Sequence, residues 1–192
     1  MNLNAYLRQK ESAILEQWLQ EMLAQYPADA SGFFRKERDP FANPVGDGMR
    51  KGVRALLHLL LDNGADEDFI QALDSIVRIK AVQEFTPSEA VAFVFLLKPV
   101  IRRQLSESSN QELDWNEILL LESRIDRMAL IAFNIYMQCR ESLYKIKADQ
   151  VRNMSFKLLQ RSNLITELDE AEAAFDDPDC RPSCKTQGGC QP

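Results

Sequence analysis

The sequence contains a single histidine, His58, and neither of the common glycine-rich phosphate-binding patterns. A metal site with several histidine ligands, including a di-iron site of the Glu-x-x-His type, cannot be built from one chain. The sequence therefore predicts a protein that is not an enzyme, with no catalytic residue and no cofactor other than the cysteine alternative described below. We expect His58, which lies among leucines, to be partly buried and hydrogen-bonded at the edge of the core.

Basic charge and long apolar runs are also scarce. Asp and Glu number 29 against 23 Lys and Arg, so the formal net charge is −6. This balance argues against binding of nucleic acid, which depends on a basic surface. The longest apolar run, Ala90 to Leu97, is too short to span a bilayer, and the first residues contain no apolar signal region. We therefore expect no membrane insertion and a cytoplasmic location.

The sequence is strongly helical and has no strand signal. Thr86-Pro87-Ser88-Glu89 has the form of a capping box that begins a helix, and Pro99 should kink that helix. A buried ion-pair network between helices is expected from four neighbouring residues, Glu122, Arg124, Asp126 and Arg127. The predicted fold class is all-α, a single helical domain with a long C-terminal helix. Helices are predicted over about residues 3–25, 28–37, 46–62, 66–82, 87–105 and 114–175.

A loop with two prolines lies between two of these helices. Each proline fixes its own φ and pushes the preceding residue towards extended geometry. The loop is therefore predicted to be a rigid connector. Its structural residues are Asp39, Pro40, Phe41, Asn43, Pro44 and Gly46.

The end of the long helix has a heptad pattern. Eight positions follow alternating steps of three and four: Tyr144, Lys147, Val151, Met154, Leu158, Arg161, Ile165 and Leu168. We call these eight positions the seam. Such a narrow apolar stripe must be covered, either by the chain's own domain or by a second copy in a parallel dimeric coiled coil. In a dimer, the contacts would be made by Val151, Met154, Leu158, Ile165 and Leu168.

Three of the four cysteines lie close together near the end of the sequence. Cys139 is expected to be a small core residue. Cys180, Cys184 and Cys190 occur with several prolines and glycines. Three interpretations stay open: an unliganded flexible tail, a metal or Fe–S site with thiolate ligands, and a thiol–disulfide switch.

The loop and three later stretches resemble the RsbRD N-terminal domain family. The later stretches are residues 86–98, 123–141 and 150–163, and the resemblance covers roughly residues 5–165. The family is named for a co-antagonist of the RsbT kinase in the general stress response. The resemblance implies a dimeric, helical sensory domain, globin-like without haem, whose last helix delivers the signal. It implies no catalytic residue and no ligand.

Two functions follow as hypotheses. The first is a non-enzymatic sensory or regulatory protein that acts by protein–protein contact, as a homodimer with a partner in signalling. The second is a metal-binding or thiol-redox accessory protein that uses the cysteine cluster and an adjacent redox system. Because no STAS or kinase module follows the helix, we expect a free-standing regulator. Its predicted parts are a sensory domain (residues 1–145), a continuing helix (146–175) and a flexible tail (176–192).

Overall fold

The computed structural model describes residues 3–37, 39–106 and 114–162. These residues form eight α-helices and no strand, which confirms the predicted all-α class and the long C-terminal helix. The helices are α1 (Leu3–Gln9), α2 (Glu11–Leu23), α3 (Ala28–Lys36), α4 (Pro44–Leu61), α5 (Asp66–Val82), α6 (Pro87–Phe95), α7 (Leu97–Ser106) and α8 (Trp115–Arg161).

The chain divides into two compact units, residues 1–144 and 145–192. The first unit contains the hydrophobic core, to which all its helices except α3 contribute fully buried apolar side chains. Trp18 is buried in this core, where its indole Nε1 donates to the Phe93 carbonyl at 2.7 Å and its ring stacks on that of Phe93. The other tryptophan, Trp115, begins α8 and is 75% exposed. The first unit therefore has its own source of stability in buried apolar surface.

The predicted helix over residues 3–25 is wrong in one respect, because the structure divides it at Lys10 into α1 and α2. The Asn4 amide donates to the Leu61 carbonyl at 2.7 Å, and Arg8 pairs with Asp62. These contacts tie α1 to the end of α4. Since they join residues more than fifty positions apart, local periodicity carried no signal for them.

The predicted helix over residues 87–105 is likewise two helices, with the break at Leu96 rather than at Pro99. A proline has no N–H, so the Phe95 carbonyl four residues earlier loses its helical donor. The helix therefore ends before the proline. The start of α6 is as predicted, with a complete capping box in which the Thr86 N–H donates to Glu89 Oε2 at 2.9 Å.

Helices α4 and α5 are joined by a short turn at Asn63-Gly64. Asn63 takes a left-handed conformation (φ 56°), and the Gly64 N–H donates to the Leu59 carbonyl at 2.8 Å. The two helices approach closely at Gly52, where a Cβ would lie 2.7 Å from Ile76 Cδ1. Glycine at this position therefore permits the tight packing of α4 on α5.

Helix α8 is 47 residues long. Its predicted continuation to about residue 175 and the predicted tail at 176–192 lie outside the described residues. Over the ranges that the structure describes, no helix is long and apolar enough to cross a membrane.

Candidate interaction surface

The second unit begins in the middle of α8, and every residue from Lys145 to Ser162 is exposed. Val151, Met154 and Leu158 belong to the predicted seam, and each exposes about two-thirds of its surface; Met154 exposes 66%. Ile165 and Leu168, which continue the seam in the sequence, lie outside the described residues. Val151, Met154 and Leu158 thus form an exposed apolar stripe on α8.

The same spacing extends backwards into the first unit, which the sequence reasoning missed by stopping at Tyr144. Leu130, Phe133 and Met137 precede Tyr144 in steps of three and four, and all four are exposed; Leu130 exposes 68% of its surface. The opposite face of α8 is buried and includes Ile125, Ala132 and Cys139. The signal for this longer stripe was present in the sequence, because the heptad steps continue without interruption from 130 to 158.

Arg140, four residues before Tyr144, also has this spacing, and its polar side chain makes three contacts. Arg140 donates to the Ala81 carbonyl at 3.2 Å and to the Tyr144 hydroxyl at 2.7 Å, and its guanidinium lies 4.8 Å from the centre of the Tyr144 ring. These contacts fix Arg140 and Tyr144 relative to each other and to the end of α5. They also raise the pKa of Arg140, so this position of the stripe carries a permanent positive charge.

The apolar surface of the second unit is wider than the seam. Ile146, Phe156 and Leu159 are also exposed, and they lie on other sides of the helix. A two-stranded coiled coil would cover the seam but not all three of these side chains. The second unit therefore has apolar surface beyond that needed for simple pairing.

Ion pairs join the first unit's part of α8 to its neighbours. Arg102 on α7 makes a bidentate bond to Glu122 at 2.7 and 2.8 Å, which lowers the pKa of this carboxyl. Lys98 pairs with Asp126, and Arg127 with Asp66; Arg124 donates to the Asn63 side chain instead. The expected network does link helices, but the prediction that it is buried was wrong. At least one member of each ion pair is exposed, so water screens the attraction and we expect each pair to contribute little to stability.

The proline-containing loop is built around Asn43, whose side chain is buried. Its Oδ1 accepts from the Gly46 N–H at 2.8 Å, and its Nδ2 donates to the carbonyls of Phe34 at 3.1 Å and Glu37 at 2.9 Å. Arg50 also donates to the Phe34 carbonyl, at 3.0 Å. The Asn43 side chain thus caps the start of α4 through its Oδ1 and binds carbonyl groups at the end of α3 through its Nδ2.

The geometry of the loop also explains why proline occurs at position 44 and glycine at position 46. Pro44 is the first residue of α4, where its missing N–H costs nothing, so the helix begins two residues earlier than predicted. A Cβ on Gly46 would lie 2.8 Å from Asn43 Cγ, so only glycine leaves room for the capping side chain. Asp39 Oδ1 accepts from the Phe41 N–H at 3.0 Å, while the Phe41 side chain is 96% exposed.

The single histidine and Cys139 both have structural surroundings. His58 is partly buried, as predicted, with Nε2 2.9 Å from Glu11 Oε1. Cys139 is buried, as predicted, and burial raises the pKa of its thiol, which makes it a poor nucleophile. No group of three His, Cys, Asp or Glu side chains that could hold a metal occurs in the part of the chain described. Cys180, Cys184 and Cys190 lie outside it.

Sequence reasoning missed the fully buried Lys80 on α5. Its Nζ donates to Gln25 Oε1 at 2.8 Å and lies 4.4 Å from the centre of the Phe85 ring. The rings of Tyr26 and Phe93 complete an aromatic box around it. Loss of water around the ammonium lowers the pKa of Lys80 from 10.5 to about 8.

Comparison with known proteins gives one match. The family model described as "RsbT co-antagonist protein rsbRD N-terminal domain" matches residues 12–151, somewhat less than the 5–165 expected from the sequence. No curated protein and no solved structure matches the chain. The matched region includes the loop, α2 to α7 and α8 as far as Val151.

Proposed function

The chain belongs to the RsbT co-antagonist rsbRD N-terminal domain family, and from this membership we propose that it is a non-enzymatic sensory or regulatory protein that acts by contact with other proteins. The family is one of stressosome-type input domains, so it supports a regulatory role. The observation that carries the proposal is the exposed apolar stripe that Val151, Met154 and Leu158 form at heptad spacing on α8.

We assign this stripe to a homodimer. Residues 145–162 follow a heptad pattern, which places the same residue types opposite one another when two copies pair in parallel and in register. Val151, Met154 and Leu158 would then contact their equivalents in the second copy. The seam also contains Lys147 and Arg161, whose like charges would face each other in such a dimer, so we expect a reversible dimer rather than a permanent one.

In this proposal, α8 is the output element. Its buried face, with Ile125 and Ala132, is part of the first unit's core, while the stripe faces the partner. A change of packing in the core would alter the position or rotation of the same helix that forms the dimer contact. Such a shift between two arrangements of packed helices is a common way to transmit a signal.

The test is sedimentation equilibrium of the full chain over a range of concentrations. Wild-type protein should show a concentration-dependent dimer. The double variant Leu158→Asp, Ile165→Asp should weaken it by a hundredfold or more, since each change removes roughly 1.5–3 kcal/mol of apolar burial. The matched control is Asn153→Asp, Gln160→Asp, on the other side of the helix, which should leave the dimer intact. Wild-type protein that stays monomeric at high micromolar concentration would refute the dimer.

A second candidate function rests on the spacing of Cys180, Cys184 and Cys190. Three thiols within eleven residues are typical of metal ligation or thiol–disulfide exchange rather than of core packing. Anaerobic purification, metal analysis and thiol titration would test it. The candidate is removed if no metal is found and replacement of all three cysteines by serine leaves partner binding unchanged.

A further inference from the structure

Lys80, near the end of α5, has no part in the proposed function, although a fully buried lysine is rare unless a carboxylate is paired with it. Its Nζ donates to two neutral oxygens, Gln25 Oε1 at 2.8 Å and the Glu89 carbonyl at 3.4 Å. No ion pair between described residues includes Lys80. Two oxygens and the surrounding rings replace a full shell of water, so burial penalises the protonated form of Lys80 relative to the neutral form.

The ring that lies closest to this ammonium belongs to Phe85, in the short connection between α5 and α6. Phe85 is half-buried, whereas the other residues over 82–89 are exposed. Glu84, directly before it, has a left-handed backbone (φ 62°), which a residue with a Cβ rarely adopts. A connection with so little buried surface and one strained residue opens at lower cost than the helices that it joins. Phe85 is thus the wall of the aromatic box that moves most easily.

The same connection is bound to α8. The Tyr136 hydroxyl donates to the Phe85 carbonyl, and Arg140 donates to the Ala81 carbonyl at 3.2 Å. Phe85 therefore covers Lys80 with its ring and contacts α8 through its carbonyl. Because ring and carbonyl belong to one residue, a displacement of Phe85 that admits water to Lys80 also breaks the bond to Tyr136.

We propose that Phe85 is a proton-controlled lid, and that a protonated Lys80 favours the open position, in which water reaches the ammonium and Tyr136 of α8 loses its acceptor. When Lys80 loses its proton, the cost of burial is removed, so the lid closes and α8 is held. Attraction between the ammonium and the Phe85 ring opposes this effect, because it stabilises the protonated, closed form. We expect the loss of hydration to dominate, and burial lowers the pKa of Lys80 from 10.5 to about 8.

The other groups near Lys80 keep their charge between pH 7 and pH 9. Hydrogen bonds from Thr86 lower the pKa of the Glu89 carboxyl, so it is ionised throughout. Burial raises the pKa of Tyr26, of Tyr136 and of the Cys139 thiol above their ordinary values. The remaining charged groups on the surrounding elements are Glu84 in the connection, the Asp74–Arg78 pair on α5 and Arg140 on α8.

The test is rapid-mixing hydrogen exchange of the full chain at pH 7 and pH 9, corrected for the intrinsic rate of chemical exchange. Mass spectrometry follows the fragment that contains the Phe85 N–H, which donates to the Lys80 carbonyl at 3.2 Å. Between pH 8 and 10.5 the open form binds more protons than the closed form, so opening decreases as the pH rises. The opening constant of wild-type protein should fall about tenfold from pH 7 to pH 9. Lys80→Met, which is uncharged at both pH values, should change by less than about twofold.

A second pair of variants tests the link to α8. Tyr136→Phe removes the hydroxyl that holds the Phe85 carbonyl, and should raise the opening constant about fivefold at both pH values. The matched control, Tyr6→Phe, removes a hydroxyl that donates to a different carbonyl, that of Gln104 at 2.8 Å. It should leave exchange at Phe85 unchanged.

Three results would each overturn the proposal: wild-type opening that is constant or increases from pH 7 to pH 9, an equal pH dependence in Lys80→Met, and no effect of Tyr136→Phe. The wild-type comparison needs no substitution, so it decides the matter even if a variant fails to fold. The lid lies within the first unit and does not depend on the proposed dimer. Leu158→Asp, Ile165→Asp should leave exchange at Phe85 unchanged, so failure of the dimer and failure of the lid are distinguishable.

Discussion

Two stretches of α8 show how the same kind of helix can be supported in different ways. From Trp115 to Tyr144, one face is buried at every third or fourth position, and ion pairs join Asp126 to α7 and Arg127 to α5. From Lys145 to Ser162, no residue is buried. An isolated helix of this length is marginal in water, so the second stretch depends on helix propensity and on whatever covers it. The first stretch owes its stability to the chain's own core.

The largest effect that tests this comparison should come from a pair of truncations. Trp18→Ala removes a fully buried ring and its hydrogen bond, and should lower the free energy of unfolding by about 3–5 kcal/mol. Met154→Ala should change the free energy of unfolding of the dilute monomer by less than about 0.5 kcal/mol, since the Met154 side chain is exposed. Urea unfolding followed by circular dichroism measures both. Comparable losses in the two variants would show that residues 145–162 are packed against the first unit after all.

The next largest effect concerns Lys80, whose buried ammonium group lowers the free energy of unfolding of the first unit. The pKa of Lys80 is about 8 when folded and 10.5 in its ordinary state. Between these values the unfolded chain binds more protons, so the contribution of Lys80 to stability rises with pH. Below pH 8 both states are protonated and the cost is constant. Each pKa unit corresponds to about 1.4 kcal/mol, so the rise should be about 3 kcal/mol.

The measurement compares wild-type protein with Lys80→Met by urea unfolding at pH 7 and pH 10.5. Wild-type stability should increase relative to the variant across this interval. Burial also raises the pKa of Tyr26 and Cys139, but both residues are present in the two proteins, so their effect on stability is common to both and drops out of the comparison. A difference that is the same at both pH values would mean that the ammonium is better hydrated than its aromatic box implies.

The smallest effect compares two hydroxyl side chains, Thr86 at the cap of α6 and Ser155 in the second stretch of α8. Thr86→Ala removes the capping box of α6 and should cost about 1 kcal/mol. Ser155→Ala, at an exposed position in the second stretch of α8, should be neutral or slightly stabilising, because alanine is the better helix former. Thermal unfolding of the two variants side by side tests this. A cost for Ser155→Ala equal to that for Thr86→Ala would contradict the difference in structural role.

Local signals in the sequence predicted much of the fold. The bounds of α5 and the cap at Thr86 follow from acidic residues, a proline and a threonine that act on their own helix ends. The divisions at Lys10 and Leu96 could not be placed in the same way. The first reflects contacts with a distant part of the chain, and the second requires knowing that Pro99 acts on the carbonyl four residues before it.

The candidate sites divide along the same line. The heptad spacing predicted the seam, and the same spacing continued towards the N-terminus would have predicted its extension to Leu130. Lys80 falls four residues after Ile76 and three after Val77, which are buried, so the helical spacing already places it on the core face. The aromatic rings around Lys80 could not be predicted, because Tyr26 comes from the α2–α3 connection and Phe93 from α6. Nor did the sequence indicate that the Phe41 ring would be free of contacts.

The contrast between the two tryptophans gives the protein a built-in pair of optical reporters. Trp18 is enclosed beside Phe93, so its fluorescence should be blue-shifted and protected from acrylamide, whereas the exposed Trp115 should emit at longer wavelength and be quenched. Each emission can be isolated by replacing the other ring with phenylalanine. The state of the core and the covering of the start of α8 can then be followed separately in the two single-tryptophan variants, without an added dye.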